Sequence, residues 1–72
     1  MTREGAVYYP EDLSLLGDVY DQAFNSLPPK MRTALNAAEI ARNLLDHSAR
    51  GERDPIELEL AALMNLIVPV AA

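Results

Sequence analysis

Proline placement constrains this chain more than any other feature. Its five prolines stand at positions 10, 28, 29, 55 and 69. A proline is tolerated in the first turn of a helix but breaks a helix interior, and it pushes the preceding residue out of the α region. The prolines therefore cut the chain into three segments, each of which must start and stop where they allow. Within each segment the apolar residues recur at helical rather than strand spacing. The chain is expected to be all-α: a three-helix domain, with a helical hairpin followed by a third helix, dimerising into a larger helical bundle.

Pro10 fits the first turn of a helix, with Glu11 and Asp12 complementing its positive end. Leu13, Leu16, Val19, Tyr20, Ala23, Phe24 and Leu27 then share one face, opposite Ser14, Asp18, Asp21 and Asn25. This predicts a helix over about 10–26. Gly17 lies at the edge of the apolar face, where it would permit a close helix approach, and Leu15 points off that face. Before this helix, residues 1–9 show no period and read as an N-terminal arm. Tyr8 falls where a hydrophobic staple to Leu13 would form, pinning the chain onto the core. The alternative is a Tyr8-Tyr9 arm that reaches a partner.

The longest uninterrupted helical period follows the Pro28-Pro29 break. Stepping ~100° per residue, Met31, Ala34, Leu35, Ala38, Ala41, Leu44, Leu45 and Ala49 occupy one face. Arg32, Asn36, Glu39, Asn43, Asp46 and Arg50 form a polar stripe opposite. The pattern predicts an amphipathic helix over about 29–50, with the first face in the core and the second in water. Gly51 suits a left-handed C-terminal cap. Lys30 and Arg32 would oppose the dipole at its start, a misfit within this reading. The short connection favours an antiparallel hairpin with the first helix.

Asp54-Pro55-Ile56-Glu57 is a capping-box start, with Asp54 as N-cap and Pro55 at the first helical position. A third helix is predicted over about 54–67, stopped by Pro69, with 69–72 as a tail. It is apolar nearly all round. Ile56, Leu60, Leu63, Met64 and Ile67 form one group, and Leu58, Ala62 and Leu66 a second. Two short helices can cover only part of it, so Leu58, Ala62 and Leu66, with Leu15, are the expected interface of a homodimer or of another protein partner.

Composition bounds the function classes. Seventy-two residues without cysteine exclude a disulfide framework and thiol chemistry. No signal region or membrane-length apolar run is present, so a cytoplasmic protein with no membrane association is expected. The net charge of −5 argues against nucleic acid as a partner, since that binding needs clustered cations. The charge is uneven, with five of the six Lys and Arg residues falling in 28–53. Lys30, Arg32, Arg42, Arg50 and Arg53 are therefore the candidate basic patch of an alternative reading, a small nucleic-acid-associated regulator.

No catalytic residue, cofactor or metal is expected. His47 is the lone histidine, and nothing at helical spacing completes an acid–base pair with it. Asp18 and Asp21 read as a solvated side, and Glu57 and Glu59 point to different faces. The function expected is a non-catalytic protein–protein interaction or regulatory module.

Two resemblances attach to particular residues. Leu27-Pro28 with Arg32, followed by Glu39-Ile40-Ala41, is similar to the start of the helix-turn-helix of bacterial sigma-type factors. The likeness ends after Leu45, because an acidic, apolar third helix could not lie in a DNA groove. Ile40-Ala41, Leu44-Leu45 and Gly51 to Pro55 resemble a group of short helical alphaproteobacterial proteins of unknown function, in which an IA-x-x-LL helix ends in GERDP before another helix. That resemblance implies a bacterial cytoplasmic protein and supplies no activity.

Overall fold

The computed structural model describes residues 8–69. The rest of the expected arm and tail lies outside the described residues. Three helices follow in order: α1 (Pro10–Ser26), α2 (Ala34–Ala49) and α3 (Pro55–Ala62). All three pack on one another. The buried cluster draws Leu16, Val19, Ala23 and Leu27 from α1 and its C-cap, Ile40 and Leu44 from α2, and Leu58 and Ala62 from α3. The chain is thus a three-helix all-α domain.

α1 has the bounds that its proline and periodicity predict. Asp12 Oδ2 accepts a hydrogen bond from the Tyr9 backbone N–H at 3.0 Å and closes the first turn. Leu13 remains 57% exposed. Tyr8 packs against the core cluster and bonds Ser48 at the far end of α2 instead. Tyr8 thus meets the hairpin rather than stapling its own helix, while Tyr9 is 59% exposed. Nothing lies within 4 Å of where a Cβ on Gly17 would stand, so no close helix approach depends on that glycine.

The expected helix over 29–50 is two elements. Pro29–Met31 form a 3-10 turn, and α2 begins afresh after Thr33, whose Oγ1 accepts from the Asn36 N–H at 3.1 Å. A threonine N-cap satisfies a donor that a continuous helix would not leave free. The break also resolves the Arg32 misfit. Arg32 lies before α2, and its guanidinium donates to Leu27 O and Asn25 O, both at 3.0 Å. It therefore sits at the negative end of α1, where a cation belongs. Gly51 takes φ 99°, the left-handed conformation expected of it.

The larger correction is the orientation of α2. Ile40 and Leu44 are buried, but so are Asn36, Asn43 and Ser48. Leu35 is 66% exposed and Leu45 53%, and Ala34, Ala38 and Ala49 also face outward. The buried face is turned by about 140° from the one the apolar pattern selects, at ~100° per residue. The cause is the polypeptide that α2 must hold. Asn36 and Asn43 face the backbone of α3 and of the residues after it, which supplies carbonyls and an N–H that no aliphatic side chain could satisfy.

α3 is the second correction. It ends at Ala62 instead of Ile67, and Asn65 adopts φ 62°. The following residues run back along α2 as a strap, with Ile67 beside Asn36. Leu58 and Ala62 are fully buried within their own chain, and Ala61 is 4% exposed. Leu66 and Leu15 are half-buried against the same core. The two apolar groups of this helix are therefore inverted. The face with two adjacent alanines turns inward, because small side chains let α3 approach α2 closely enough for Asn43 to reach its terminal carbonyl.

Candidate functional site

Three local arrangements are built on this frame, and the first is a polar latch at one end of the hairpin. The Tyr8 hydroxyl and Ser48 Oγ lie 2.9 Å apart. Arg53 stands 5.7 Å from the Tyr8 ring centroid, within range of a cation–π contact. Its Nε donates to Asp12 Oδ1 at 3.1 Å, and one terminal nitrogen donates to Ser48 O at 2.7 Å and Glu52 O at 2.8 Å. The latch ties the start of α1, the end of α2 and the approach to α3. The Tyr9 N–H bond, together with Arg53, holds the Asp12 carboxyl below its ordinary value against the opposing effect of burial.

The second arrangement is an amide clamp. Asn36 is fully buried. Its Nδ2 donates to Ile67 O at 2.8 Å and to Met31 O at 2.8 Å, while its Oδ1 accepts from the Ile67 N–H at 2.7 Å. Asn43 Nδ2 donates to Ala62 O at 3.2 Å and to Met64 O at 2.9 Å. Two carboxamides seven residues apart on α2 thus fix the path of the strap. All of these bonds are to backbone groups, and none is to a side chain of the strap. Among the described residues no buried side-chain nitrogen or oxygen lacks a hydrogen-bond partner.

The third is exposed apolar surface. Ile56 (70% exposed), Leu60 (61%), Met64 (52%), Ile67 (54%) and Val68 (63%) all belong to α3 and the strap. A separate open groove of about 210 Å³ runs between α1 and α2, lined by Leu16, Gly17, Tyr20, Ala41, Leu44 and Leu45. Tyr20 and Phe24 stack with centroids 6.0 Å apart beside it.

The candidate basic patch is not assembled. Arg32 is engaged with the end of α1, and Arg53 with the latch. Arg42 lies 3.7 Å from Glu39 on its own helix. Lys30 and Arg50 stand before and after α2, a helix about 24 Å long at 1.5 Å per residue. His47 Nδ1 is 3.0 Å from Asn43 O, a contact within the helix. Among the described residues no group of three His, Cys, Asp or Glu could hold a metal ion, and no helix is long and apolar enough to cross a membrane.

Sequence reasoning missed the clamp and the latch. Asn36 and Asn43 were assigned to water by the apolar period, although a seven-residue spacing on a helix places two side chains on one face. Arg53 reads as a free cation in sequence because its carboxylate partner, Asp12, lies forty-one residues away. In comparisons with known proteins, no family model, curated protein or solved structure matches this chain.

Proposed function

We propose that this protein is a non-catalytic interaction module that pairs with a second copy of itself through the outer face of α3 and the strap. The observation that carries this reading is the concentration of large exposed apolar side chains between Ile56 and Val68, each more than half exposed. At roughly 100 Å² of apolar surface per such side chain, the patch is on the order of 500 Å². That is in the upper part of the range of the largest patch on a monomer, and such patches are often functional. Covering it across a two-fold axis would bury about 1,000 Å² in total, the lower limit of a specific biological interface.

The size of the chain favours the same conclusion. A folded unit of this size buries about 60% of its unfolded surface, which leaves a small core and a modest stability that burial of further apolar surface would raise. The interface moves from Leu58, Ala62, Leu66 and Leu15 to Ile56, Leu60, Met64, Ile67 and Val68. Replacing Ile56→Glu together with Leu60→Glu tests the reading, because both side chains are exposed and their loss leaves the core intact. Sedimentation at tens of micromolar is expected to give a dimer for the native chain and a folded monomer for the variant. A monomeric native chain would overturn the reading.

A further inference from the structure

We infer that the groove between α1 and α2 is a second docking surface, and that its occupant is a basic amphipathic helix of a different protein. The inference goes beyond the self-pairing proposed above, since the groove shares no residue with the exposed face of α3 and the strap.

α2 carries an apolar stripe that its own fold leaves uncovered. Ala34, Leu35, Ala38, Leu45 and Ala49 recur at helical spacing, and all five are exposed. They face outward because Asn36 and Asn43 turn the other side of the helix toward α3 and the strap. The inner edge of this stripe meets α1 across the groove, walled by Leu16, Gly17 and Tyr20 on one side and by Ala41, Leu44 and Leu45 on the other. Its volume of about 210 Å³ exceeds the roughly 150 Å³ of an apolar cavity that accepts a benzene ring. One large apolar side chain therefore fits.

The walls select a helix. Apart from the Tyr20 hydroxyl, no lining side chain can hydrogen-bond a peptide backbone, and the main-chain groups of α1 and α2 are bonded within their own helices. An extended peptide would leave its groove-facing N–H and C=O groups without partners, whereas a helix satisfies its own.

Charge selects the sign of the partner. α1 carries Glu11, Asp12, Asp18 and Asp21 and no cation, while α2 carries Glu39, Arg42 and Asp46. Asp12 is engaged by Arg53, and Arg42 stands beside Glu39. The charge left beside the groove is negative. At ~100° per residue, Asp21 lies about 40° round α1 from Gly17, and Asp18 and Asp46 lie about 100° from Gly17 and Leu45. All three are exposed. Lysines and arginines on the flanks of a docked helix reach such carboxylates while their stems cover apolar surface. A second copy would bring the same acidic residues to the groove, so complementarity favours a partner of opposite charge.

The test titrates the full chain, isotopically labelled for amide NMR, with three synthetic helical peptides. The first has leucines along one face and lysines on both flanks. The second carries glutamates in place of the lysines, and the third glutamines in place of the leucines. The expected result is saturable movement of the Gly17, Tyr20, Ala41 and Leu45 signals with the first peptide alone. Gly17→Phe should abolish it in a chain that stays folded, because a Cβ there meets nothing within 4 Å and the ring fills the groove. Asp18→Asn combined with Asp21→Asn should weaken binding several-fold, as should added salt. Equal binding of the lysine and glutamate peptides overturns the choice of partner. Movement confined to Ile56–Val68, or none with any peptide, overturns the docking surface. The self-pairing reading is judged separately by sedimentation of the native chain without peptide.

Discussion

The latch and the clamp join overlapping parts of the fold by opposite physical means. The latch centres on a charged group, Arg53, whose side chain is about a third exposed against Asp12 at 3.1 Å. The clamp uses neutral amides, one of them fully buried. An ion pair near water is weakened by salt and by protonation, and its net contribution is small. A neutral amide bonded to backbone in the interior ignores both, but its loss strands donors and acceptors away from water. The chain thus places its tunable contact where α1 starts and its obligatory contact where the strap must be held.

The sharpest way to break this comparison is Asn36→Ala. It removes the bonds to Met31 O, Ile67 O and Ile67 N, and leaves groups on the strap without partners. The expected loss is about 3 kcal/mol, a large part of the stability of a domain this size. It is read from urea unfolding, with no dependence on added salt. Retention of native stability would show that water replaces the amide at no cost.

Arg53→Ala should do less. It breaks the contacts to Asp12, Ser48 O and Glu52 O at a half-buried site that water can enter. A loss of about 1.5 kcal/mol is expected for charge-assisted bonds discounted for exposure, and it should shrink in high salt. If Arg53→Ala cost as much as Asn36→Ala, the division between tunable and obligatory contacts would fail.

The smallest effect is that of pH. The Asp12 pKa is lowered in the folded chain, first by the Tyr9 N–H bond and also by Arg53. Its contribution is therefore fully present above the ordinary value of 3.8 and is lost progressively as the pH falls below it. Asp12→Asn should flatten stability over that acid range. The NMR signals of Tyr8 and Ser48 should shift there in the native chain while those of Asn36 stay still.

How much of this was legible in sequence depends on how far apart the interacting residues lie. α1 was readable whole, because Pro10, the acidic first turn and the pre-proline Leu27 act within one turn of the residues they govern. The N-cap of α3 was equally plain, and there Asp54 Oδ1 accepts from the Ile56 N–H at 2.9 Å, but the expected capping box is not closed by Glu57, because the Asp54 N–H donates to Glu52 Oε2 at 3.0 Å. Thr33 as a second N-cap carried a local signal as well, hidden because apolar residues continue in phase across it. The clamp had no such signal. Asn36 meets Ile67 only after α3 has turned the chain back along α2, so its role depends on a contact thirty-one residues away.

The sequence alone determined that there are three helices, where prolines and caps let them begin, and that the chain carries more apolar surface than it can bury. Those properties are set by steric limits on φ, by hydrogen bonds within a turn and by side-chain counts. Tertiary structure decided which face of α2 turns inward, where α3 stops and which of its two apolar groups meets water. The apolar period of α2 favours one face by a series of small transfer terms from alanines and two leucines. Burying the strap instead requires its inward N–H and C=O groups to find partners. The backbone of α3 serves the N–H groups of Leu63 and Met64, and Asn36 and Asn43 serve the carbonyl of Met64 and both groups of Ile67.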